Sequence, residues 1–168
     1  MRVQVEARMR CPDYDGLRSR AIEIGSMYEG KDDQTDTYFG VPDGFMKIRE
    51  TSLDQDHVLF YRRPNIADIR TCESFASHVT EIDSMRALLE NAFGTRAVIR
   101  KTRETFVRQN CRILFDRLSK NRTFLTVRYD LGPGETPEEA TRELETFLEA
   151  FDCDRTKRLA QSYCEIAG

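Results

Sequence analysis

Wherever this chain alternates with the period of a β-strand, lysine and arginine recur on the polar face. Lys47 and Arg49 stand against Met46 and Ile48, Lys101 and Arg103 repeat the pattern, and Arg112 shares a face with Asp116. Residue by residue, such cations fit ordinary solvent-facing charge on a half-exposed sheet. As a recurring pattern they fit a sheet closed into a barrel with a cationic lumen, and closure also removes exposed edges.

The charge is segregated along the chain. Residues 100–128 hold nine basic residues against Glu104 and Asp116, a net +7, whereas residues 129–152 hold eight acidic residues against Arg142, a net −7. A solvated helix face accounts for the acidic block; the basic block needs a partner or an unusual interior. Arg117, Lys120 and Arg122 fall in an expected hairpin with little aromatic interleaving, so nucleic-acid binding is not indicated.

At 168 residues, 39% hydrophobic and 33% charged, the chain fits one globular domain over 1–168 and is too apolar for disorder. Its longest apolar run, Val58 to Tyr61, is far too short to cross a bilayer, and the start has no secretory signal, so no membrane association and an intracellular, cytoplasmic location are expected. Five cysteines without a C-x-x-C pair are expected as free thiols, and His57 and His78 alone cannot build a histidine-rich metal site.

Val3, Val5, Ala7 and Met9 alternate with Arg2, Gln4, Glu6 and Arg8 in an opening strand. Asp13 caps a helix with Leu17, Ala21 and Ile24 on one stripe, and a turn-rich polar stretch is expected to run from Gly25 through Asp36. Short strands follow at 37–39, 45–50 and 56–63, the last ended by Pro64, with a weaker one over 74–82. Asp83 is expected to cap a helix burying Leu88, Leu89, Ala92 and Phe93. Strands at about 96–108, 110–117 and 123–130 precede a helix opened by the capping-box spacing Thr136-Pro137-Glu138-Glu139, with Ala140, Leu144, Phe147, Leu148 and Phe151 inward. The expected fold class is α+β: an eight-stranded antiparallel closed barrel with flanking helices.

The order and spacing of several stretches resemble the CYTH superfamily of triphosphate tunnel proteins, and within it the class IV adenylyl cyclase branch. They are Asp36 to Phe39, Gly44 to Glu50, Leu59 to Pro64, Arg100 to Glu104, Arg112 to Asp116, Phe124, and Ser162-Tyr163. The resemblance implies a tunnel whose basic residues clasp a triphosphate, the positions falling here on Lys47, Arg49, Arg63, Lys101, Arg103 and Arg112. It implies carboxylates that hold Mg²⁺ or Mn²⁺, of which Asp116 matches one, though Asp116 equally fits a salt bridge to Arg112 or a neighbouring arginine. The cyclase branch also implies a homodimer, and thiamine triphosphatases are among the activities of such tunnels.

The metal half of that signature departs from the pattern. The family's E-x-E-x-K falls on Arg2, Gln4 and Glu6, and the two glutamates of its F-x-E-x-E fall on Thr126 and Arg128. Magnesium prefers hard oxygen ligands, and a guanidinium about 6 Å away at an effective dielectric near 20 repels a dication by roughly 5 kcal/mol before screening. Glu6 and Arg128 together suit an inverted ion pair between the first and last strands. The expectation is a nucleotide or polyphosphate binder that needs no cofactor for binding, its two-metal catalysis lost. The alternatives are an active Mg- or Mn-dependent adenylyl cyclase or triphosphatase using a rearranged carboxylate set (Glu6, Asp36, Glu50, Asp116), and a protein-interaction scaffold.

Overall fold

A computed structural model describes residues 1–153 and 155–166. Eight antiparallel strands close into a barrel in the order β1-β5-β4-β3-β2-β6-β7-β8. They are β1 (Arg2–Arg10), β2 (Met27–Phe39), β3 (Phe45–Thr51), β4 (His57–Arg62), β5 (Arg70–His78), β6 (Thr95–Arg108), β7 (Cys111–Leu118) and β8 (Thr123–Asp130). The helices are α1 (Tyr14–Glu23), α2 (Ile82–Phe93), α3 (Pro137–Ala150) and a one-turn α4 (Tyr163–Ile166). β1 closes the barrel by pairing with β5 on one side and β8 on the other, and Glu6 and Arg128 are register partners there.

The hydrophobic core lies outside the barrel. Val5, Ala7 and Met9 of β1, Phe106 of β6, Ile113 and Phe115 of β7 and Leu125 and Val127 of β8 pack beneath Tyr14 and Ala21 of α1 and Ala140, Leu144 and Leu148 of α3. α3 begins with the expected capping box between Thr136 and Glu139, and its stripe through Phe151 is buried as expected. A smaller cluster sets Leu89 of α2 on Phe39 and Ile48. Since apolar side chains leave water on the outer face, period-two alternation sends the polar ones into the lumen. Gly44 turns β2 into β3 at φ +73°, where a side chain would also strike Phe60 and the Tyr61 carbonyl.

Three local expectations fail. Residues 27–36 are not a turn-rich stretch but most of β2, paired along β6 from Met27 to Phe39. Asp32, Gln34 and Asp36 alternate inward, so a strand facing a polar lumen carries no apolar alternation to betray it. The weak strand begins at Arg70, four residues earlier than expected, and stops at His78, while Ile82 opens α2. The residue at that helix's N-cap is Glu81, without a side-chain cap bond, and Asp83 sits in the first turn bound to Arg86. Leu88, Ala92 and Phe93 face solvent; Leu89 makes the expected contact, joined by Ile82 and Met85.

Candidate functional site: a cationic lumen closed at one end

The barrel encloses a cavity of about 970 Å³ that opens where β1, β2, β4 and β7 begin. At the other end the C-terminal segment crosses the barrel. Leu159 N–H donates to the Arg8 carbonyl, Arg70 donates to the carbonyls of Leu159 and Ala160, and Arg63 donates to Ala160. Tyr163 enters from this side and gives its hydroxyl to Asp116 at 2.6 Å, its ring lying 4.2 Å beneath the Arg8 guanidinium.

Buried carboxylates organise the cations. Asp36, wholly inaccessible, accepts from Lys47 at 2.8 Å, from Arg49 at 2.6 and 2.7 Å and from Lys101 at 2.5 Å. Asp116 receives both arms of Arg103 at 2.6 Å in the fork geometry that suits guanidinium to carboxylate. Glu6 binds Arg128 at 3.1 Å and Arg70 at 3.3 Å, with Arg63 3.9 Å away. Asp32 is satisfied by Gln34, Thr51, Ser52 and Leu53. Arg8 is 7% exposed, and among the described residues no carboxylate comes within salt-bridge distance of it; it donates to Thr126 Oγ1 and the Gln161 carbonyl.

Burial alone would push these carboxyls up. For Asp36 the charges of Arg49, Lys101 and Lys47 outweigh it and hold the group well below the usual range; Arg103 does so for Asp116, and Arg128, Arg8 and Arg70 for Glu6. The lysines move the other way. Burial, reinforced by Arg49 and Arg103 against the pull of Asp36, lowers Lys101 to about 7, and Lys47 falls for the same kind of reason.

Of the residues expected to hold phosphate, Lys47, Arg49, Lys101 and Arg103 point into the lumen. Arg63 instead lies at the closed end beneath the C-terminal segment and over the Phe45 ring, and Arg112 sits at the open mouth paired with Glu29 at 2.9 Å. Gln4 donates to Asp130 at 2.5 Å, and Thr126 is buried against Arg8. Arg8, Arg70 and Tyr163 were not singled out as site residues. Arg8 shares the alternation of Gln4 and Glu6 and is legible from it; Arg70 falls between the strands expected at 56–63 and 74–82.

The carboxylates do not fit a hard divalent cation. Asp36, Asp116 and Glu6 each carry cationic donors within hydrogen-bond distance, and among the described residues no three His, Cys, Asp or Glu side chains gather as a metal site. Glu50, part of the alternative carboxylate set, pairs with Arg86 of α2 on the outer side of the barrel.

No protein-family model and no curated protein sequence matches the chain. Its fold does match solved structures. The PH1012 protein of Pyrococcus horikoshii superposes with a TM-score of 0.86 at 16% identity, covering 96% of this chain and 98% of that one. A candidate adenylate cyclase from Vibrio parahaemolyticus gives 0.80 at 19% identity over 99% and 98% of the two chains. A candidate adenylyl cyclase from Hippeastrum with a dominant triphosphatase activity gives 0.67 at 12% identity over 99% and 94%. With its closed eight-stranded antiparallel barrel and flanking helices, the chain has the triphosphate tunnel fold.

Proposed function

We propose that this protein binds a polyphosphate-bearing anion, a nucleotide or another triphosphate, in its tunnel through charge-assisted hydrogen bonds and without divalent-metal catalysis. One observation carries the reading: a buried excess of positive charge. Among the described residues, Asp36 is shared by Arg49 and two lysines, Glu6 is surrounded by three arginines, Asp116 holds Arg103, and Arg8 has no carboxylate, so six arginines face four buried acids even when Asp32 is counted and before the lysines, whose protons burial weakens, are added. Uncompensated buried charge costs several kcal/mol per ion, and a polyanion supplies the missing compensation. Arg8, Lys47, Arg49 and Arg103 all line the cavity, where they can donate to phosphate oxygens.

The solved neighbours include candidate cyclases and a triphosphatase, so the competing reading is metal-dependent turnover at the same place. Calorimetry with tripolyphosphate and ATP separates the two. The expected result is saturable binding in excess chelator that Mg²⁺ does not strengthen, with no phosphate or diphosphate released by purified protein. Binding that requires Mg²⁺ or Mn²⁺, or sustained release of product with either ion, would overturn the proposal.

A further inference from the structure

The lumen is not cationic all round. The cavity-lining positions of β4 and β5 run His57, Leu59 and Tyr61, then Cys72, Ser74 and Ala76, with no lysine or arginine among them; the next inward position on β5, Arg70, lies at the closed end and is held by Glu6. Leu59 pairs in register with Ala76, and Tyr61 with Ser74, so these side chains form one continuous neutral wall. In the closed strand order β5 lies four places from β6, and β4 four places from β7, so this wall stands across the lumen from the strands carrying Arg103 and Arg112. Above it, the rim of the same cavity exposes Met27 at 64% and Leu53 at 59%.

A polyphosphate alone has no use for such a wall. It needs donors on every side, whereas Leu59 and Ala76 offer none, and large apolar side chains at a rim are stabilised when a ligand covers them. The cavity volume is also near the upper end of small-molecule sites, which pair an apolar lining with a few placed polar groups. We propose that the occupant of the tunnel is amphiphilic: a di- or triphosphate ester of an uncharged hydrophobic group, its phosphates on the cations of β3 and β6 and its body along the β4–β5 wall and the apolar rim. This rests on the polyanion reading above and names the class of molecule that meets it. Leu59 is the register partner of Lys47, so the wall adjoins the cations at their own depth, and the exposed Met27 and Leu53 at the mouth set the direction, with phosphates on Lys47, Arg49 and Arg8 and the body toward the rim.

Methyl diphosphate and geranyl diphosphate, with matched head groups, provide the test on the full chain by calorimetry, with inorganic tripolyphosphate as a third probe. The expected outcome is that geranyl diphosphate binds at least tenfold more tightly than methyl diphosphate. In Leu59→Ser and in Leu53→Ser that ratio should shrink toward one; Leu53 is a rim side chain whose change leaves the core intact. Equal affinities for the two esters, with tripolyphosphate still bound, would overturn the amphiphile inference and leave the polyanion reading standing. A geranyl preference that survives both substitutions would overturn the placement on this wall. No binding of any of the three probes by protein with native circular dichroism would sink both.

Discussion

Arg103 with Asp116 at the closed end of the tunnel and Arg112 with Glu29 at its mouth are the same chemical pair in two settings. In the first the acid is fully buried, with both arms of the guanidinium and the Tyr163 hydroxyl on one carboxylate. The second is 39% and 33% exposed at its two side chains. Water screens the outer pair and would replace either partner if the other were lost, whereas the inner carboxylate relies on Arg103 and Tyr163. Burial, rather than the count of ion pairs, therefore decides where this barrel is fragile and where a ligand can gain most.

The largest expected effect comes from Asp36→Asn, which strips the shared anion from Lys47, Arg49 and Lys101. Breaking a buried ionic network of this kind costs about 3–5 kcal/mol, measurable by urea unfolding, and tripolyphosphate should restore more of the loss here than it adds to the parent protein. If the variant unfolds at the parent's urea midpoint, the contrast between the two ends is broken. Tyr163→Phe comes next: losing a hydrogen bond to a charged acceptor should cost about 1.5–3 kcal/mol by the same measurement.

A third expectation concerns pH. Lys101 sits at about 7 in the folded protein against about 10.4 in an unfolded chain, so between those values the unfolded state holds a proton that the folded state lacks. Stability of the unliganded protein should therefore rise as pH climbs through this window, by up to about 1.4 kcal/mol per unit from this group. A polyanion in the lumen raises the lysine's affinity for its proton, so binding at pH 8 should take up protons, read from the dependence of the binding heat on the buffer's ionisation enthalpy. The smallest effect is at the mouth, where Arg112→Ala should change stability by about 0–1 kcal/mol; a loss matching that of Asp36→Asn would erase the distinction between the regions.

The sequence disclosed most of this arrangement where one side of a strand was apolar. Val5, Ala7 and Met9 announce β1, and the cations of β3 and β6 are in phase with their own buried partners. It failed on β2, because a strand with Lys31, Asp32 and Asp33 in succession has the composition of a loop; only the lumen gives Asp32 and Asp36 their reason to be there. Arg70 was hidden by the same effect at the start of β5. The Glu6–Arg128 pair was legible because closure makes the first and last strands neighbours, and their atoms lie 3.1 Å apart. What could not be read ahead was the sharing: that one aspartate would serve three cations while Arg8 had none depends on side-chain reach across strands distant in sequence. The closing of one end by residues 158–166 was equally hidden, since backbone carbonyls at 159–161 do most of that work and carry no sequence signal.

The most direct measurement is an experimental structure of the protein grown with tripolyphosphate in excess chelator, followed by a crystal transferred to Mn²⁺ and read by anomalous scattering. The expected picture has phosphate oxygens within hydrogen-bond distance of Arg8 and Lys47 inside the lumen, and no manganese among Asp36, Asp116 and Glu6. An empty lumen at saturating tripolyphosphate, or manganese bound to those carboxylates with their lysines and arginines swung away, would contradict it.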